Sequence, residues 1–201
     1  AFWGWHEPIT GAILAGCIAA GCAGIIGPMV LRFSGLPLMM VSLAVGGIVY
    51  EAANKLTWLT GGDNGLYGIT VAPVLGHFRW TVYSDTAYLY ALGWLFVLFC
   101  LVRLVVSSSF GAALQGIREN SRRMRLIGSP VLLQLLLAYI ISGFVAGVAG
   151  AILAQATQFV GLPVISLDNT IDVVVILVLG GTGRLYGGLI GAVVFKVLQD
   201  V

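Results

Sequence analysis

The stretch at residues 110–129 reads FGAALQGIRENSRRMRLIGS and is the most charged part of an otherwise apolar chain. It holds four of the ten Lys and Arg residues, namely Arg118, Arg122, Arg123 and Arg125. Apolar runs of membrane-spanning length lie on both sides of it. A basic segment between two spans must lie in water, and the positive-inside rule puts it on the cytoplasmic side.

The same stretch has the period of a helix. Its apolar residues recur at helical spacing, at Phe110, Ala113, Leu114, Ile117 and Met124. Glu119 stands three and four residues before Arg122 and Arg123, which favours ion pairs along one face. The pattern predicts a short cytoplasmic helix with an apolar stripe and a basic face. Composition leaves two roles open for it, an ordinary loop held at the lipid surface and a docking helix for a cytoplasmic partner.

Composition identifies the chain as an integral membrane protein. Its 201 residues are 59% hydrophobic and 9% charged, whereas soluble domains carry about 25% charged residues. The 28 glycines are typical of helices that approach closely in lipid. The cysteines lie inside apolar runs without metal-ligand spacing, so no metal site is expected. The chain has no initiator Met and stops close behind an apolar run, so we expect a fragment with both ends incomplete.

Six apolar runs lie along the chain, at residues 9–30, 36–53, 86–106, 130–153, 170–179 and 185–197. They predict an all-α fold, a polytopic transmembrane bundle of about six spans that forms a single domain over residues 1–201, plus the short helix at 110–129. Gly180, Gly181 and Gly183 lie between the last two runs and separate them. We interpret these runs as two helices that turn at an inner Gly-rich corner; the alternative is one helix broken in mid-membrane, where such breaks line a cavity.

The distribution of basic residues supports this topology. The predicted inner loops hold seven arginines, at positions 32, 103, 118, 122, 123, 125 and 184, and the predicted outer loops hold Lys55 and Arg79. The excess of inner arginines indicates an outside start and six crossings.

Four stretches together resemble one family. LRFSGLPLMMVSLAVGGIVYEAAN (31–54) looks like the span before the outer loop of LivM-type permease subunits of branched-chain amino acid ABC importers. TGGDNGLYGI (60–69) is similar to their TGGxxGL signature, and LQGIREN followed by LIG resembles their cytoplasmic loop. FVAGVAGAILA (144–154) and SLDNTIDVVVILVLGGTGRLYGGLIGA (166–192) match their C-terminal pattern. The resemblance covers about residues 28 to 195.

The resemblance implies a permease that imports branched-chain amino acids or similar small polar solutes across a bacterial or archaeal inner membrane. It implies four kinds of neighbour: a second permease subunit, two cytoplasmic ATPase subunits, a periplasmic solute-binding protein and membrane lipid, with no nucleic acid. It assigns the basic segment to a coupling helix on the ATPase, with coupling residues Leu114, Gly116, Ile117, Arg118, Glu119 and Arg122. Related importers of urea or short amides remain an alternative.

Several residues could line the solute path, each with a structural alternative. Gly62 and Asn64 could line its outer end, but Gly-Gly and Asp-Asn-Gly are also turn formers. Asp172 lies just inside a predicted span, where acids are usually functional, although it is within one turn of the interface. Asp168 and Asn169 could simply cap that helix. Gly143, Gly147 and Gly150 form one face on which a neighbouring helix could pack.

Enzyme chemistry has no support in the sequence. The run GGTGRL lacks the G-K-[ST] ending of a phosphate-binding loop, so ATP hydrolysis is expected on separate subunits and no cofactor is expected on this chain. Two other classes stay open, a channel or secondary transporter, which would need mid-span charges that are nearly absent here, and a non-transporting membrane scaffold.

Overall fold

The computed structural model describes residues 8–62, 65–67, 85–181, 183 and 185–199. These residues are almost entirely helical. The helices are α1 (Pro8–Val30), α2 (Leu36–Lys55), α3 (Thr57–Thr60), α4 (Asp85–Ser107), α5 (Ser109–Leu126), α6 (Val131–Thr157), α7 (Leu167–Gly180) and α8 (Leu185–Gln199). The structure also has a two-residue antiparallel pair, β1 (Leu66–Tyr67) with β2 (Phe159–Val160), and a 3-10 turn at Leu162–Ile165.

Four of these helices are long and apolar enough to cross a membrane: α1, α2, α4 and α6. The remaining apolar pair, α7 and α8, has 14 and 15 residues, and each helix rises only about 22 Å against an apolar layer of about 30 Å. The two are bent by 115° and count as a fifth span only if they form one broken crossing. The chain is therefore a polytopic helical protein, and the expected six crossings are not confirmed.

The structure divides into two compact units, Ala1–Ala44 with Leu66–Val160, and Val45–Gly65 with Gly161–Val201. In the first unit, α1 packs along α6 through small residues. A Cβ atom at Gly147 would lie 2.5 Å from the Ala19 Cβ and 2.8 Å from the Ala15 carbonyl oxygen, and one at Gly143 would lie 2.7 Å from the Ala23 Cβ. The two backbones thus approach closely only because these positions lack side chains. A Cβ at Gly150 would meet nothing within 4 Å, so Gly150 does not belong to this face.

The core of the first unit is small and apolar. Ala12 of α1, Leu98 of α4 and Val148 of α6 are buried together, with Trp94 and Phe144 packed around them. Most other large apolar side chains are exposed along α1, α2, α4 and α6. This arrangement fits helices whose outer faces meet lipid rather than water.

One buried polar contact ties the two ends of this unit together. The Gln155 side-chain Nε2 in α6 donates a hydrogen bond of 2.9 Å to the Pro8 carbonyl at the start of α1. The contact fixes the register of α1 on α6, since a buried amide is costly without its partner.

Candidate functional site

The basic segment forms α5, which follows α4 after the single residue Ser108. The Ser108 hydroxyl donates a hydrogen bond to the Val105 carbonyl at 2.7 Å, and the Ala112 N–H donates to the Ser108 carbonyl at 3.2 Å. Gly111 lies so close to Val106 that a Cβ atom there would overlap the Val106 carbonyl. The corner between α4 and α5 is therefore tight. Sequence reasoning missed Gly111, although a glycine in the first turn of a predicted helix is a signal of close backbone approach.

Helix α5 is interrupted at Asn120. The backbone there has φ −155° and ψ 93°, which is outside the helical region. The Asn120 side-chain oxygen accepts a hydrogen bond from the Arg123 N–H at 3.0 Å, as an N-cap residue does. The expected regular helix is instead two short helices, residues 109–119 and 121–126. The signal was present in the sequence, because Asn is a poor residue for a helix interior and a good one for a cap.

The second short helix folds back on the first. A Cβ atom at Gly116 would lie 2.9 Å from the Met124 sulfur. Met124 thus covers Gly116 within this chain, whereas the sequence had placed Met124 on a continuous apolar stripe. The coupling role assigned to Gly116 stays a prediction.

The end of α5 is a Schellman motif. Gly128 has φ +86°, its N–H donates to the Arg125 carbonyl at 3.0 Å, and the Ser129 N–H donates to the Met124 carbonyl at 3.1 Å. This pattern satisfies the last carbonyls of the helix and needs glycine at the left-handed position. Pro130 follows and begins the turn into α6, so α5 is fixed at its second end as well.

The apolar residues of α5 point into the chain. Ile117 is buried, with 7% of its surface exposed, and Leu114 and Gly116 are half-buried. Helix α5 packs on α4 and α6, and Phe110 and Leu114 line a groove with residues of both helices, including Val102 and Ile141. The predicted apolar stripe therefore attaches α5 to its neighbouring helices α4 and α6.

The outward face of α5 is polar and basic. Arg118, Glu119, Arg122 and Arg123 are all exposed, and the expected Glu119 ion pairs are absent, since the salt bridge found among the described residues joins Lys55 and Glu51 at 3.6 Å. Leu126 and Ile127, 88% and 73% exposed, add an apolar tip at the end of the segment. A partner would meet arginines flanked by this tip. We call these six exposed residues the basic face: Arg118, Glu119, Arg122, Arg123, Leu126 and Ile127.

The predicted outer turn is built around a buried glycine. Gly61 and Gly62 have φ +75° and +58°, and Gly62 is buried. The Thr60 hydroxyl donates to the Ala53 carbonyl at 2.6 Å, and the Gly65 N–H donates to the Gly62 carbonyl at 3.0 Å. These contacts are those of a compact turn. Asn64 lies outside the described residues.

The corner between α7 and α8 depends on backbone contact. Gly180 lies against the Gly187 carbonyl, and Gly191 lies against the Ile176 carbonyl, so that a Cβ at any of these three glycines would overlap backbone. Gly181 ends α7 with φ +80°. Nothing lies within 4 Å of a Cβ placed at Gly183, so Gly183 has no close approach among the described residues.

Helix α7 is capped by a residue other than those expected. Its N-cap is Ser166, whose hydroxyl accepts a hydrogen bond from the Asn169 N–H at 3.5 Å. The Asn169 side chain instead donates to the Pro163 carbonyl at 2.7 Å. Asp172 lies on α7 with its side chain exposed, and its role in a solute path stays a prediction. The side chain of Asp168 lies outside the described residues.

No group of three or more His, Cys, Asp or Glu residues that could hold a metal ion occurs in the part of the chain that the structure describes.

Comparison with known proteins agrees with the family resemblance of the four sequence stretches. The family model described as "Branched-chain amino acid transport system / permease component" matches residues 1–201.

Two curated relatives match over nearly the whole chain. The high-affinity branched-chain amino acid transport system permease proteins LivM of Salmonella typhimurium and of Escherichia coli are each 28% identical to it over 210 residues, covering 94% of this chain and 49% of the relative. The chain thus spans about half the length of the curated relatives that it matches. No solved structure matches it.

Proposed function

This chain belongs to the permease family of branched-chain amino acid transport systems, and on that premise we propose that it is the membrane-spanning part of an ATP-binding cassette importer. Its cargo would be branched-chain amino acids or similar small polar solutes. It would work in a bacterial or archaeal inner membrane beside a second permease subunit. A periplasmic binding protein would deliver the solute, and two cytoplasmic ATPase subunits would supply the free energy.

The observation that carries this proposal is the basic face of α5, held between two spans by a fixed corner at each end. Arg118 and Arg122 are exposed, and neither forms a salt bridge with a carboxylate among the described residues. A cationic face of this kind favours an acidic groove on a cytoplasmic partner, because complementary charge orients the encounter and fixes its register. A helix that merely rested on lipid would turn its apolar stripe outward, whereas here that stripe packs on α4 and α6.

The same packing offers a route for motion. Ile117 is buried beneath the basic face, α5 meets α4 through the tight corner at Gly111, and α6 meets α1 through Gly143 and Gly147. A force applied to α5 would therefore move α4, α6 and α1 as packed bodies, since close-packed interfaces transmit displacement rather than absorb it. In this proposal Ile117 and Gly116 act as positioning residues, and the contact residues are Arg118, Glu119 and Arg122.

A charge-reversal experiment tests the proposal. In the full permease, expressed with its ATPase subunits, Arg118→Glu with Arg122→Glu should lower both ATPase co-purification and leucine uptake at least tenfold. Expression and melting temperature should match wild type, because both side chains are exposed and exposed charges contribute only about 0–1 kcal/mol to stability. The matched control is Arg118→Lys with Arg122→Lys, which keeps the charge and should keep most of the coupling. Normal ATPase recovery and normal uptake in the charge-reversed variant would contradict the docking role.

The cargo is tested separately. Proteoliposomes that contain the permease pair, the ATPases and the binding protein should accumulate leucine, isoleucine or valine when ATP is supplied. Accumulation of urea or a short amide, with no uptake of these amino acids, would assign the chain to the related importers instead. Uptake without ATP would favour a channel or a secondary transporter.

A further inference from the structure

A cavity of about 660 Å³ lies in the first unit, where α1 ends, α5 ends and α6 begins. Its lining residues are Leu31, Arg32, Arg125, Pro130, Val131, Leu132, Leu133, Leu135 and Leu136. The positive-inside rule predicts that this end of the spans faces the cytoplasm. The proposed coupling role of α5 does not use this cavity, because the basic face lies on the other residues of the segment.

The lining has two chemically different parts. Arg32 and Arg125 supply two guanidinium groups, and both side chains are exposed. Neither is within salt-bridge distance of a carboxylate among the described residues. The other seven lining residues are apolar. Such a cavity would suit a molecule with an anionic end and a hydrocarbon end.

The position of the apolar lining favours a lipid over a cytoplasmic protein as the molecule that occupies the cavity. It runs along the first turns of α6, from Val131 to Leu136, which is a depth of about 8 Å at 1.5 Å per residue. Leu132 and Leu133 are 53% and 54% exposed within a helix that is long and apolar enough to span the membrane. A cytoplasmic protein domain stays in water and would not reach down this face, whereas lipid tails fill that layer.

We propose that this cavity binds one anionic phospholipid of the cytoplasmic leaflet. Its phosphate would lie between Arg32 and Arg125, because guanidinium groups bind phosphate oxygens through two parallel hydrogen bonds. Its acyl chain would lie along Leu132 and Leu136. Basic pockets between spans on the cytoplasmic side are typical binding places for such head groups, and the volume lies within the range of about 300–1,000 Å³ for small-molecule sites.

The lipid would contact three segments of the first unit. Arg32 follows α1, Arg125 is in the last turn of α5, and the apolar lining belongs to α6. One phosphate held by both arginines therefore fixes the end of α5 to the α1–α6 pair.

The experiment is native mass spectrometry of the full permease in detergent, titrated with phosphatidylglycerol and, separately, with phosphatidylethanolamine of the same acyl chains. Wild type should bind one phosphatidylglycerol more tightly than phosphatidylethanolamine. Arg32→Gln with Arg125→Gln should weaken phosphatidylglycerol binding about tenfold or more, since each basic group near an anionic lipid contributes to the attraction. Binding of phosphatidylethanolamine should not change. Arg103→Gln, which removes an exposed charge of α4 outside the cavity, is the matched control and should bind as wild type does.

Two further arms make the outcome decisive. Arg32→Lys with Arg125→Lys keeps both charges and should keep most of the affinity, so that a folding defect of the glutamine variant cannot imitate the result. A phosphatidylglycerol with a photoreactive acyl chain should cross-link within residues 131–136. Unchanged binding in the glutamine variant, cross-links confined to other spans, or displacement by millimolar inorganic phosphate would each overturn the proposal. Occupation of the cavity by an acidic segment of a co-purified subunit, mapped by cross-linking, would also overturn it.

Discussion

The contact between α1 and α6 can be tested by adding one methyl group at Gly147 and measuring the loss of stability. A Cβ atom at Gly147 would lie 2.5 Å from the Ala19 Cβ, where ordinary contact begins at 3.4 Å, so Gly147→Ala must push the helices apart by about 1 Å. The same Cβ atom would lie 2.8 Å from the Ala15 carbonyl oxygen. Neither the Ala19 Cβ nor the Ala15 carbonyl oxygen can move away by side-chain rotation. Forcing a methyl group into a packed interface costs about 1–3 kcal/mol.

Gly150→Ala is the matched control. It lies in the same helix, three residues further on, and a Cβ there meets nothing within 4 Å. Both substitutions gain the same helix propensity, about 1 kcal/mol, so the difference between the two variants isolates the contact with α1. Gly147→Leu would add three more carbons at the same place and should lower the yield of intact protein further.

The assay is thermal unfolding of the purified permease in detergent. For a chain of this size, 1 kcal/mol corresponds to about 2–4 °C in melting temperature, so Gly147→Ala should melt roughly 2–12 °C below Gly150→Ala. Equal melting temperatures would refute the reasoning, because they would mean that Gly147 faces lipid rather than α1.

Three further predictions concern α5 and its surroundings. Gly111→Ala should destabilise the corner between α4 and α5 and lower the melting temperature, whereas Gly93→Ala, in open space on α4, should not; equal values would contradict the tight corner. Ile117→Asp should reduce folded protein in size-exclusion chromatography, because it buries an unpaired charge at a cost of several kcal/mol; wild-type yield would mean that the site is exposed. Cysteines at Ser108 and Asp63 in a Cys-free background should label from opposite sides of the membrane, and labelling from one side would overturn the predicted sidedness.

The long spans were predictable because hydrophobicity and length alone define them. The ends of the predicted runs at residues 9–30, 36–53, 86–106 and 130–153 each lie within four residues of the ends of α1, α2, α4 and α6. The last two runs are apolar, but their helices have only 14 and 15 residues, so hydropathy did not decide how they cross the membrane. Their close packing depends on the Gly180 and Gly187 backbones, which no hydropathy pattern describes.

The candidate site was predictable in its charge and not in its shape. The arginines of α5 are exposed as a basic face, since burying a charged side chain in the apolar layer of the membrane is costly. The orientation of Ile117 could not be predicted, because an apolar stripe can face a partner or its own chain and periodicity does not distinguish the two. The break at Asn120 was missed, because the apolar stripe was extended from Ile117 to Met124 across Asn120, a residue that favours a helix cap over a helix interior.

The hydrogen bond between Gln155 and Pro8 has a consequence for biogenesis. Its two partners are 147 residues apart in the chain, and ribosomes add about 5–20 residues per second, so α1 waits roughly 7–30 s for the helix that covers it. During that interval its Ala and Gly face is open to lipid and to any neighbouring helix in the insertion machinery. A chaperone or translocon subunit that protects this face would therefore change the yield of assembled permease without any contact with the finished protein.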